Sequence, residues 1–359
     1  MAVSESIQQA AWRRLKKNKA ALFGMLVIAL SVLVAIFAYF IAPDSTPFAN
    51  RMTVEIGGMR PGYTQQFLLV KKEAASPDKN FFTRLLYGRN DDFTWWPVSS
   101  VTKKGDSIIA QKYIDEGVQE RMAFVQWQVP DKPLRNVHFL LGTDKYGRDI
   151  LSRLIIGTRV SLSVGLIAVV ISLTIGILLG ALAGYFGGRT DDIIMWCINV
   201  IWSIPTLLLV FAITFLLGKG FWQVFVAVGL TMWVTVARIV RGQVLGVREL
   251  EYVEAARALG YSQARIIFRH ILPNIAGPVL VVGAANFASA IVIEAGLSFL
   301  GVGVQPPQPS WGLMIKENYN FIITHNPMLA LAPGFAIMVL VLAFNLLGNA
   351  LRDALNVRS

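Results

Sequence analysis

The chain is poor in charge, in cysteine and in histidine. Only 15% of its 359 residues are Asp, Glu, Lys or Arg, and 55% are hydrophobic. Water-soluble domains are closer to a quarter charged and less apolar, so an ordinary soluble domain is excluded. The single cysteine, Cys197, lies in an apolar run and excludes an internal disulfide framework. Three histidines, His138, His270 and His325, stand far apart and give no metal-ligand spacing. There is no long low-complexity tract and no solenoid period. Segment 44–137 offers no nucleophile–base pair, which argues against a membrane-anchored enzyme.

The apolar residues are clumped. Runs 20–42, 160–186, 193–217, 221–237, 278–293 and 328–347 are nearly free of charge. Crossing a hydrocarbon layer of about 30 Å takes about 20 helical residues, so these six runs read as spans, with 221–237 at the short limit. The first run exceeds a typical signal-peptide core and no small-x-small cleavage site follows it, so it reads as a retained anchor. Trp202, Trp233 and Trp311 fit interfacial belts.

Short loops rich in Lys and Arg mark the cytoplasmic side. The head holds Arg13, Arg14, Lys16, Lys17 and Lys19; the stretch after span four holds Arg238, Arg241, Arg248, Arg257, Arg265 and Arg269; the tail holds Arg352 and Arg358. With six spans all three fall on one side, and both termini are expected there. The net charge of +11 is then a topology signal, not a nucleic-acid footprint.

Segment 44–137 is long enough for a small external domain. Val125, Trp127 and Val129 alternate with glutamines, a strand pattern. FFTRLLYG at 81–88 reads as a short helix stopped by Gly88. The segment is expected to be β-leaning.

A polar segment, EAARALGYSQARIIFRHILP at 254–273, interrupts the apolar runs. A helix over 249–259 is expected to end at Gly260, in a turn that needs positive φ. Ser262 can cap a second short helix running to about Arg269. Ala255 and Ala256 leave little bulk where a partner's groove can close, and Arg257, Arg265 and Arg269 can meet its carboxylates. An amphipathic helix lying on lipid is the competing reading.

This segment resembles the EAA loop of permease subunits of bacterial ATP-binding-cassette importers. The family pattern asks for Glu-Ala-Ala, three residues, Gly, nine residues, then Ile-x-Leu-Pro. The chain matches at Glu254, Ala255, Ala256, Gly260, Leu272 and Pro273, and departs at His270, a form that looks like the peptide branch. Segments 138–165, 184–192 and 294–312 resemble the C-type dipeptide, oligopeptide and nickel permeases. The resemblance covers about 1–42 and 138–359. It implies an all-α polytopic fold of six transmembrane helices, the type I importer permease fold, with 44–137 as an extra periplasmic insertion. Residues 1–43 would be the lead-in and first span, and 138–359 the core with its coupling loop at 238–277. Implied partners are a second homologous permease, two ATP-binding subunits, a periplasmic solute-binding protein and the lipid bilayer of the bacterial inner membrane. Cargo would be peptides or related small solutes, with no cofactor.

The nearest thing to a phosphate loop is GTDKYGRD at 142–149, with Arg148 and Asp149 where Lys and Ser/Thr belong. ATP hydrolysis is therefore expected on another chain. A secondary transporter or channel is the alternative, but it would normally carry ionisable groups at mid-membrane. Only Glu294 qualifies, and a charge at the bilayer centre costs about 2.5–3.5 kcal/mol on insertion scales. Glu294 is a candidate for the path or gate, with a structural hydrogen-bonding role as the competing reading. Asp191 and Asp192 read as solvated. Pro205 frees a carbonyl one turn earlier and favours a kink, either static or part of the path.

Overall fold

In chain order the helices and strands are α1 (Ile7–Lys17), α2 (Lys19–Ile36), α3 (Ala38–Ile41), β1 (Tyr63–Lys71), α4 (Phe81–Tyr87), β2 (Phe93–Lys104), β3 (Ser107–Asp115), β4 (Val118–Val125), β5 (Leu134–Phe139), α5 (Ile150–Phe186), α6 (Gly188–Trp202), α7 (Thr206–Leu217), α8 (Phe221–Val247), α9 (Glu251–Ala258), α10 (Gln263–Ile266), α11 (Ala276–Leu300), α12 (Trp311–Asn318), α13 (Phe321–Thr324) and α14 (Met328–Leu355). The structure is a computed structural model that describes residues 7–73, 80–218, 220–324 and 326–355. His325 and Arg358 lie outside the described residues.

Among the described residues, five helical stretches are long and apolar enough to cross a membrane: α2, α5, α8, Gln263–Leu300 and α14. A sixth exists if α6 and α7 form one span, and those two helices meet at 92°. The chain also holds a five-stranded sheet, so it is not all-α. It divides into two compact units, one of Met1–Ser31, Ser161–Val304 and Ile337–Ser359, the other of Val32–Val160 and Gln305–Ala336.

The first unit is helical. Small residues on α5 admit α8 closely. A Cβ on Gly180 would lie 2.5 Å from the Ala237 carbonyl, and one on Gly184 would lie 2.8 Å from the Val244 Cβ. Close approach of this kind holds helices together where lipid removes the hydrophobic drive. Helix α8 runs ten residues past the expected end at 237. Arg238 and Arg241 therefore lie on a helix and not in a loop. Arg241 makes a two-pronged pair with Asp191 at 2.5 Å, so Asp191 is paired where solvation was expected. The Arg238 guanidinium stacks 4.0 Å from the Trp202 ring. Helix α14 likewise runs to Leu355, beyond residue 347.

The second unit centres on an antiparallel sheet of order β4-β3-β2-β1-β5. Strand β1 is buried on both faces. Leu68 and Val70 pack with Val98, Ile108 and Ala110, while Phe67 packs with Ile56 and Phe139 on the opposite face. This strand-by-strand alternation follows the two-residue period of extended chain. The expected strand at 125–129 is not one. Strand β4 stops at Val125 and a single helical turn, Gln126–Gln128, follows. The last strand, β5, reaches Phe139, two residues past the expected boundary at 137. Helix α4 ends at Gly88 with φ of 75°. Trp233 and Trp311 are buried, not interfacial; the Trp311 indole N–H donates to the Leu154 carbonyl at 3.0 Å.

Candidate functional site

Helix α9 has one buried face. Val253 and Ala256, spaced i and i+3, pack with Ile266, Ile267, Ile271 and Ile275 against Val236, Val240 and Val244 of α8. Ala256 was expected on the partner-facing surface, but the three-residue spacing from Val253 turns it into this core. Ala255 and Glu254 remain exposed.

The end of α9 is a Schellman turn. The Tyr261 amide donates to the Ala256 carbonyl at 3.1 Å and the Gly260 amide to the Arg257 carbonyl at 3.0 Å. Gly260 has φ of +75°, and a Cβ placed on it meets nothing within 4 Å. The glycine is required by backbone conformation and leaves open space above the chain. Ser262 caps α10, its hydroxyl accepting from the Arg265 amide at 3.4 Å. The second helix does not stop near Arg269. It passes through a wide turn, Ile267–Ile271, and a tight turn, Leu272–Ile275, into α11. Pro273 has no N–H to close a regular turn. Leu272 is half-buried and Pro273 exposed.

The arginines are partly occupied within the chain. Arg265 lies 4.1 Å from the Tyr261 ring, and Tyr261 stacks on His270 at 5.9 Å. Arg257 lies 6.0 Å from the Tyr185 ring. The outward face of the loop adds two residues that the motif did not flag, Leu259 at 72% and Phe268 at 66% exposure. Their signal was an apolar residue beside each polar turn. This face carries one acid, three arginines, an open backbone turn and two apolar side chains, a combination that suits docking to protein.

A cavity of about 640 Å³ lies in the same unit, lined by α6–α7, α8, α11 and α14. Trp202, Thr231, Thr235, Asn286, Ser289 and Asn345 give it its polar character. Thr235, Ser289 and Asn345 are exposed. Asn286 is committed to helix packing, its amide donating to Ser172 at 3.4 Å. The break before Pro205, which opens α7, sets Ile204 and Thr206 into the cavity wall. The lining contains no ionisable side chain. The sequence search for charge passed over these groups; Asn286 and Asn345, amides inside apolar runs, were the available signal.

Glu294 is not in that lining. It is fully buried on α11 and accepts from the Ser298 hydroxyl at 2.6 Å, while Ser298 accepts from the Val304 amide at 3.0 Å. These bonds tie the end of α11 to the turn after it.

The phosphate-loop look-alike is closed on itself. Asp144 accepts from the Tyr146 and Arg148 amides at 2.9 and 3.0 Å and from Arg148 Nε at 2.6 Å. Its carboxylate occupies the place an anion would take in a cradle of amides. Arg148 also donates to Glu317 at 2.8 Å. Asp149 caps α5, accepting from the Ser152 amide at 2.9 Å, and burial pushes its carboxyl pKa up.

Comparison with known proteins places the chain in a family. Residues 176–358 match the model of the "binding-protein-dependent transport system inner membrane component" family, and residues 6–53 match the "N-terminal TM domain of oligopeptide transport permease C". The chain is 44% identical over 216 residues to the glutathione transport system permease protein GsiD of Pectobacterium atrosepticum, covering 60% of this chain and 71% of that protein. It is 41% identical over 226 residues to the oligopeptide permease OppC of Bacillus subtilis, covering 63% and 73%. The dipeptide permease DppC of Lactococcus lactis aligns over 355 residues at 32% identity, covering 99% of this chain and 91% of its own. Among solved structures, the MetNI methionine transporter in inward-facing form is similar at a TM-score of 0.48, with 18% identity over 57% of this chain and 97% of that one.

Proposed function

The chain belongs to the binding-protein-dependent transport system inner membrane component family, and we propose that it is the permease subunit of an ATP-driven importer of peptides or related small solutes. Relatives named for glutathione, dipeptide and oligopeptide transport support the cargo class. The basic residues of the head and of the loop support a cytoplasmic position for both. A homologous permease would complete the path, two ATP-binding subunits would drive it, and a solute-binding protein would deliver cargo on the other side. With α6 and α7 counted as one span, the described residues offer six candidate spans.

The observation that carries this reading is the outward face of the loop at Glu254–Pro273. Glu254, Ala255, Arg257, Gly260, Phe268 and Arg269 form a surface on a rigid base of buried isoleucines. Such a base transmits force, which a loosely tethered loop would not. ATP binding then draws two docked loops together, and the permease responds as a two-state element that each ligand biases. Cargo passes beside Thr235, Ser289 and Asn345, whose neutral hydroxyl and amide groups suit a path that accepts peptides of either charge. Leu272 and Ala256 support the docking surface from below, and Pro273 is exposed at its end.

Replacing Gly260 with Val tests the assignment. Membrane insertion should persist, and ATP hydrolysis by the assembled transporter should no longer drive uptake. Normal coupled uptake in that variant would overturn the docking role.

A further inference from the structure

Helix α4 presents an apolar face that the water-facing part of its unit does not need. At about 100° per residue, Phe81, Phe82, Leu85 and Leu86 share one arc of about 140°. Phe82 is 75% exposed and Leu86 53%. Arg84 falls about 60° from Phe81, at the edge of this arc. Contiguous exposed apolar surface on a segment outside the spans marks an interaction site.

The position of α4 identifies the occupant. The helix packs on α3 through Phe81 and Phe40, whose ring centroids are 5.5 Å apart, with Arg84 5.1 Å from the Phe40 ring. Arg159, near the start of α5, donates to the Leu85 and Leu86 carbonyls at 3.1 Å each and fixes the helix end. Helix α3 closes the first apolar run. An apolar run beginning at residue 20 has crossed the hydrocarbon by about residue 40. Leu33, Ile36, Phe37 and Ile41 on that run are themselves exposed, as lipid-facing residues of a span are. The face of α4 continues this surface.

We propose that α4 is an interfacial membrane anchor. It lies in the headgroup layer at the end of the first span away from the basic head, with Phe82 and Leu86 buried among acyl chains. Arg89, exposed just past the helix end, stands at the level of lipid phosphates. The insertion is thereby held against the bilayer surface by a second point besides its chain connections.

The test uses the full chain in phosphatidylethanolamine–phosphatidylglycerol vesicles. Cys197→Ser removes the only native thiol. Nitroxide labels are placed at Phe82→Cys, Leu86→Cys and, as an exposed control on the sheet, Lys103→Cys. Collision with oxygen and with a water-soluble nickel chelate is measured for each. The ratio of oxygen to nickel accessibility should be several-fold higher at residues 82 and 86 than at 103. A ratio equal to the control would place the face in water and overturn the proposal. Low accessibility to both reagents would put protein over it and overturn it equally. Photo-labelling of the unmodified chain with a diazirine lipid gives the same decision without substitutions: within 44–137, adducts should concentrate in 80–89, and their absence there contradicts an anchor.

Discussion

Gly260 shows how one residue can be fixed by backbone alone. Its φ of +75° and the empty space above it mean that Gly260→Val meets no internal clash. The strain of a left-handed non-glycine residue is about 1–2 kcal/mol, too little to unfold the chain. The expected phenotype is a stable protein with lost coupling, read as uptake against ATP turnover. Asp144 is the opposite case, since it is wholly internal. With side-chain exposures of 1% and 2% for Asp144 and Arg148, Asp144→Ala leaves the buried guanidinium with Glu317 alone as its carboxylate and should cost about 1–3 kcal/mol, seen as a fall in melting temperature. Asp149 gives a pH prediction. Burial raises its folded-state pKa, so its contribution to stability is complete below the unfolded value of about 3.9 and is lost as pH climbs through the folded one. Asp149→Asn keeps a good helix cap and, measured against the parent, should gain in stability as pH rises from about 4.

At the scale of elements, α5 against α8 is the contact that supports the loop. Gly180→Ala pushes a methyl into the Ala237 carbonyl and the Val240 Cβ and should cost about 1–3 kcal/mol by overpacking. Gly246→Ala on α8 meets nothing within 4 Å and should stabilise by about 0.5–1 kcal/mol. Detergent melting curves of the two variants should move in opposite directions. Span positions were legible because apolar runs report solvent directly. Their ends were not. Arg238 and Arg241 looked like loop residues because a partner such as Asp191, 50 residues away, cannot be seen in a one-dimensional pattern. Gly260 and Ser262 were legible because turn and cap chemistry is local. Ala256 was misplaced because its helical phase is set by Val253 and the core beneath, which a motif does not show. Glutamines between Val125 and Val129 imitated a strand, where the chain makes a single helical turn before β5. The cavity was missed because hydroxyls and amides on separate helices converge only in three dimensions.

At the scale of the whole molecule, the proposal gives the chain a path and a docking surface, and no nucleotide site is seen among its described residues. Asp144 fills the loop at 142–149 that imitates a phosphate cradle. On the proposed reading the energy comes through the face at Glu254–Pro273, and transport fails without the subunits that dock there. The decisive measurement is uptake of a labelled dipeptide into proteoliposomes, with the permease pair alone or with its ATP-binding subunits and binding protein. The account predicts uptake only in the complete assembly with ATP supplied on the side of the loop, and none with a proton gradient alone. Gradient-driven uptake by the permease without ATP or its partner subunits would contradict it.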